Sequence, residues 1–136
     1  MNFRETTQAD LDYMADHSIS RGMQKLCPEQ VSYMYTLEHD GVPLGQGGFR
    51  IINAYTAWCW LDMSDKAVGH IIYIHRLLRD KISDFCNEHK LRRLQAYVEC
   101  DFPEATRLVE HLGFTIESTM SNFIGDKDAY MYAKVI

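Results

Sequence analysis

Three carboxylates stand where strands are expected to end. Asp62 closes the run Ala57 to Met63, and Glu99 and Asp101 close and follow the run Leu94 to Glu99. A carboxylate held there can take a proton from a reacting group. The plainer reading is a solvated strand-end carboxylate or, for Glu99 and Asp101, one near the positive end of the helix that follows. A second group of residues is basic. Residues 66–93 hold Lys66, Arg76, Arg79, Lys81, Lys90, Arg92 and Arg93 against Asp80, Asp84 and Glu88, a net of +4 that leaves −9 for the rest of a chain of −5. Such a segment suits a phosphate. A solvated helix face with i,i+4 ion pairs is the alternative, but only Arg76/Asp80 would be favourable and Asp80/Asp84 would repel. His70 and His75 lie in the same segment and can bind phosphate or pack. The phenols of Tyr73, Tyr97, Tyr130 and Tyr132 can donate a proton, or pack on a sheet as strand tyrosines do.

These residues need elements to position them. Asn2 to Glu5 reads as a short strand. Thr6 or Thr7 can cap a helix with Asp10 in its first turn. Leu11, Met14, Ala15 and Ser18 keep helical spacing, and Gly22 is the expected stop. Pro28 suits the first turn of a second short helix. Val31 to His39 is rich in β-branched and aromatic residues and predicts a strand. Asp40-Gly41 is a hairpin signal, and Val42 to Asn53 is its partner strand. Gly45, Gly47 and Gly48 predict a bend or bulge there. Along Ala57 to Met63 the period of two puts Trp58, Trp60 and Asp62 on one face and Cys59, Leu61 and Met63 on the other.

Ser64 and Asp65 are expected helix caps. Apolar residues from Val68 to His89 fall at a helical period, secure from about His75 to His89, while upstream Gly69 and the β-branched run Ile71-Ile72-Tyr73-Ile74 leave helix and loop both open. Leu94 to Glu99 is the next strand. Pro103 opens a helix that Gly113 stops. Phe114 to Met120 and Ala129 to Val135 form two antiparallel strands around a Gly125-Asp126 turn. A meander followed by a crossover helix predicts an α/β fold with a mixed sheet. Its first half is antiparallel, a parallel pair flanks the crossover, and helices lie on both faces. The 136 residues suffice for one domain, 1–136, with a real core.

Composition sets further bounds. Apolar residues make up 46% and charged residues 24%, close to the average for globular proteins. The acidic balance discourages nucleic acid or an anionic membrane as partner. The polar N-terminus has no secretory signal, no apolar run reaches the length of a bilayer, and a cytoplasmic protein is expected. Cys27, Cys59, Cys86 and Cys100 are far apart, with no Cys-x-x-Cys pair and no histidine at ligand spacing. No metal site and four reduced thiols are therefore expected.

The segment KLRRLQAYVECDFPEATRLVEHLGF resembles the GNAT N-acetyltransferase superfamily, in which a strand, a splayed loop and a helix ending in Gly-Phe close an acyl-CoA site. Ala105, Leu108, Leu112, Gly113 and Phe114 fit that helix and its exit. FRETTQADLDYM resembles the family's first strand and helix, and VSYMYTLEHDGVPLGQGGF its second and third strands. More narrowly, the chain resembles small GNAT-like proteins of tailed phages, including internal virion proteins, through GVPLGQGG, the tryptophan-containing strand and its Ser-Asp turn.

The resemblance implies a single GNAT-like domain that transfers an acetyl group from acetyl-CoA to a primary amine, on a small molecule or a protein. It implies pantetheine along the strand at Leu61 and Met63. Phosphates would lie at Gly69, His70, His75, Arg76 and Arg79. Asp62 or Glu99 would be the base and Tyr97 the acid. The family's phosphate loop is met only in part: Lys66-Ala67-Val68-Gly69-His70-Ile71 keeps one glycine. The asparagine often found before the last helix falls at Phe102, and the tyrosine usual on that helix falls at Val109. A GNAT fold without catalysis, serving as a virion or protein-interaction module in host cytoplasm or virion, is the alternative. A dimer stays open.

Overall fold

The structure is a computed structural model and describes residues 1–19 and 33–136. Seven strands form one mixed sheet: β1 (Asn2–Glu5), β2 (Tyr33–His39), β3 (Val42–Asn53), β4 (Thr56–Met63), β5 (Arg93–Glu99), β6 (Thr115–Ile124) and β7 (Lys127–Val135). Their order is β1-β2-β3-β4-β5-β7-β6. The described α-helices are α1 (Gln8–His17), α2 (Ile71–His89) and α3 (Pro103–His111). β4 and β5 run parallel, and α2 is the crossover that parallel neighbours require. By their contacts the residues group into two compact units, Met1–Arg50 with Cys59–Ile74, and Ile51–Trp58 with His75–Ile136.

In the first unit, Thr7 and Asp10 form a reciprocal capping box at the start of α1. Arg4 on β1 forks both Asp10 oxygens at 2.6 and 2.7 Å and reaches Glu38 on β2 at 2.8 Å. Thr36 on β2 also donates to Asp10. One buried carboxylate thus ties β1, α1 and β2 together. The expected irregularity in β3 is present. Leu37 faces Gly45 while Glu38 faces Pro43, so Leu44 is an extra residue on β3. Gly45 and Gly47 have a further cause. A Cβ on Gly45 would stand 2.9 Å from the Asp62 carbonyl, and one on Gly47 2.7 Å from the Trp60 carbonyl. Both glycines let β3 lie close against β4.

In the second unit, β5 alternates buried and half-buried residues as a strand with one covered face should. Leu78, Ile82, Phe85 and Cys86 give α2 one buried stripe. α3 ends in a Schellman motif: Gly113 has φ +93°, Gly113 N donates to the Glu110 carbonyl and Phe114 N to that of Val109. Lys134 on β7 adds a bond to the Leu112 carbonyl at 3.0 Å. β6 ends the sheet, is largely exposed, and breaks register with β7 between Ile116 and Ser118 and between Met120 and Ile124.

Several boundaries differ from the sequence reading. α1 ends at His17 with Ser18 as its C-cap, before Gly22, which lies outside the described residues together with the short helix expected after Pro28. Ser64 caps a 3-10 turn, Asp65–Ala67, rather than the long helix. The stretch before His75, open between helix and loop in the sequence, is helix from Ile71, after Gly69 at φ +92°. β6 and β7 extend to Ile124 and Lys127, since the Gly125-Asp126 turn closes tightly enough for pairing to continue to it.

Candidate active site

Asp62 lies near the end of β4 and is 7% exposed. The Ser18 hydroxyl donates to its Oδ1 at 2.5 Å. Beside it, Ile19 N donates to the Met63 carbonyl at 2.9 Å, and Ser18 and Ser64 form an antiparallel bridge. Met63 lies on the face that Gly45 meets, and Leu61 on the face that Gly47 meets. The opposite face therefore carries Trp58, Trp60 and Asp62, as alternation requires. Three side-chain polar atoms in this unit are buried without a hydrogen-bond partner among the described residues, His39 Nδ1, Gln46 Oε1 and Trp60 Nε1.

The loop after β4 leads into α2. Gly69 adopts a left-handed conformation with open space where a side chain would stand. His70 follows, its ring centroid 5.3 Å from that of His39, and its carbonyl accepts from Ile74 N in the first turn of α2. α1 and α3 carry Asp10 and Glu104 in their first turns, whereas α2 carries no acidic residue there. The N–H groups of this end thus face no nearby carboxylate of their own turn, an electrostatic setting that suits an anion. Val68, Ile71, Ile72 and Tyr73 are 81%, 51%, 69% and 64% exposed.

Further along α2 the three expected phosphate ligands differ. The His75 Nε2–H donates to the His111 carbonyl at 3.1 Å, so this ring binds α2 to α3. Arg79 is 58% exposed and pairs loosely with Asp80 at 3.8 Å. Arg76 is exposed and makes no ion pair among the described residues; Asp80 pairs with Arg79 instead of the Arg76 expected from i,i+4 spacing.

Glu99, at the end of β5, is 2% exposed. Its Oε1 lies 3.5 Å from Lys127 Nζ, which also stands 3.8 Å from Asp101. Its Oε2 is buried with no hydrogen-bond partner among the described residues. Tyr97, two residues earlier, packs edge-on between Trp58 at 6.1 Å and Phe123 at 4.8 Å. Burial raises its pKa, so the phenol keeps its proton through the neutral range. Tyr132 is engaged elsewhere: its hydroxyl donates to Glu110, and burial followed by that bond pushes its pKa up to about 12.

Asp62, Leu61, Met63, Gly69 and His70 therefore belong to the first unit, and Tyr97, Glu99, His75, Arg76 and Arg79 to the second. The sequence reading missed Ser18 and Lys127. Ser18 lies 44 residues from Asp62, and Lys127 becomes visible only once the β5/β7 register sets Glu99 against Ala129. Among the described residues no group of three or more His, Cys, Asp or Glu side chains could hold a metal ion, and no helix is long and apolar enough to cross a membrane.

No protein-family model matches the sequence, and a search of curated proteins finds none that matches. Solved structures do match. A spermidine N-acetyltransferase mutant from Vibrio cholerae superposes with a TM-score of 0.81 at 14% identity, covering 99% of this chain and 95% of that one. An acetyltransferase (GNAT family) from Bacillus anthracis gives 0.66 at 18% identity, over 75% of this chain and 65% of that one. A ribosomal L7/L12 alpha-N-protein acetyltransferase in complex with coenzyme A gives 0.69 at 20% identity, over 79% and 64%. The chain has the α/β fold of the GNAT acetyltransferases, a mixed seven-stranded sheet with one parallel pair. At these identities the likeness is one of fold. None of the three is a phage protein, so the resemblance to tailed-phage proteins gains no support from them.

Proposed function

We propose that the chain is an acetyl-CoA-dependent N-acetyltransferase whose acceptor is a primary amine on a small molecule or protein. The observation that carries this reading is the likeness over 99% of the chain to an N-acetyltransferase. Acetyl-CoA supplies the activated acyl group. Gly69, His70, the start of α2, Arg76 and Arg79 hold its phosphates, and β4 at Leu61 and Met63 offers backbone to the pantetheine amides. His75, held by its bond to His111, keeps that helix in place. Asp62 or Glu99 takes the amine's proton, and Tyr97 returns one to the leaving thiolate. The acceptor carries no nucleic acid, and the reaction belongs to the cytoplasm.

Calorimetric titration with acetyl-CoA tests the reading. A ligand at 100 times its Kd adds about 2.7 kcal/mol, which raises the melting temperature of a chain this size by roughly 8–14 °C. No heat and no shift at millimolar acetyl-CoA would refute it. One observation favours a second reading, a GNAT fold serving as a virion or protein-interaction module. Ile71, 51% exposed, stands at the position where the family's loop carries a small residue. Failure to bind acetyl-CoA would move the assignment to that reading.

A further inference from the structure

Glu99 and Lys127 form an arrangement that the overall fold does not require. A carboxylate almost wholly removed from water is costly unless paired and hydrogen-bonded. Glu99 is 2% exposed, yet among the described residues Oε2 has no hydrogen-bond partner, and Oε1 faces the Lys127 ammonium at 3.5 Å. Lys127 is 45% exposed and leans also on Asp101 at 3.8 Å. It is the first residue of β7, beside the Gly125 turn, and so sits on a hairpin end. A primary amine held against a buried carboxylate with a bare oxygen is the pairing an acetyl transfer needs between acceptor and base.

Resting on the N-acetyltransferase reading, we infer that Lys127 is an acetyl acceptor within its own chain, with Glu99 as its base. The Lys127 ammonium gives a proton to the Glu99 carboxylate. The freed Nζ lone pair attacks the thioester carbonyl carbon of acetyl-CoA. The C–N bond forms and the C–S bond breaks. The second proton lost from nitrogen neutralises the thiolate, and the products are Nε-acetyl-Lys127 and the CoA thiol. Acetylation removes the positive charge from Lys127 and with it the ion pair to Glu99 and Asp101.

The test is incubation of the whole chain with acetyl-CoA, followed by intact mass and peptide mapping. One acetyl group per chain is expected on Lys127, at a first-order rate independent of protein concentration. The exposed Lys90 serves as the measure of uncatalysed acetylation. Glu99→Gln should slow modification of Lys127 roughly 100-fold. Lys127→Arg keeps the charge, so it should fold with an unchanged melting temperature and gain no acetyl group. Acetyl-CoA binding, seen as a melting shift, with Lys127 no more acetylated than Lys90 overturns this inference alone. Absence of binding overturns the inference and the N-acetyltransferase reading together.

Discussion

Ser18 and Asp62 meet through a 2.5 Å hydrogen bond that fastens the C-terminal cap of α1 to the end of β4. A hydrogen bond to a buried charged group contributes about 1.5–3 kcal/mol. Ser18→Ala should therefore lower the urea midpoint by a comparable free energy, and a wild-type midpoint would show that the bond holds nothing. Asp62→Asn and Glu99→Gln separate the two candidate bases. The base's variant should lose roughly 100-fold or more in kcat for acetyl transfer to an added amine. Equal, small losses in both would remove carboxylate catalysis from the mechanism.

Gly47→Ala and Gly45→Ala should destabilise the fold by about 1–3 kcal/mol. The new methyl would meet main-chain carbonyls, 2.7 Å away at Gly47 and 2.9 Å at Gly45, and a strand backbone cannot swing aside as a side chain does. Denaturant melts check this, and tolerance of alanine at both positions would contradict the close approach of β3 to β4.

The paired change Arg76→Ala, Arg79→Ala should weaken acetyl-CoA binding about tenfold, or roughly 1.4 kcal/mol. Both side chains are exposed, so stability should stay within about 0.5 kcal/mol of wild type. Titration calorimetry at low and high salt reads both the loss and its screening. An unchanged Kd would take the arginines out of the phosphate site.

Acid should loosen the first unit through Asp10. Arg4 first, aided by the bonds from Thr7 and Thr36, holds this carboxyl well below its ordinary range. Its folded pKa thus lies below the unfolded value of about 3.9. The stability it contributes is complete above that value and is lost as pH falls through the folded one. Asp10→Asn should lower the melting temperature near neutral pH and flatten its decline in acid. Parallel acid profiles for the two chains would contradict this.

Much of the fold was legible because local signals agree with the long-range ones. Asp40-Gly41 made its hairpin, Val42 to Asn53 is β3 as read, and Gly113 ends α3 in the conformation that glycine favours. Misplaced boundaries arose where one residue outweighed a pattern. Ser18 turned away from α1 to reach β4, ending that helix before Gly22, whereas Gly69 decided a stretch that spacing had left open between helix and loop. The site was legible only as residue types. Asp62, Glu99 and Tyr97 were named from strand positions, but their partners Ser18, Lys127, Trp58 and Phe123 come from register and packing, which no spacing encodes.

β6 carries a consequence of its place at the end of the sheet. Among the described residues Thr115–Ile124 is paired with β7 alone and leaves its outer edge without a neighbouring strand, with Ile116 51% exposed and Phe123 43% exposed along it. Such an edge is a template for adding foreign strands. Two register breaks, the left-handed Asn122 at φ +50° and the charged Glu117, anchored on Arg93, spoil its flatness. These features act as guards against fibre formation, and a straightened, uncharged β6 would invite copies of the chain to stack on it.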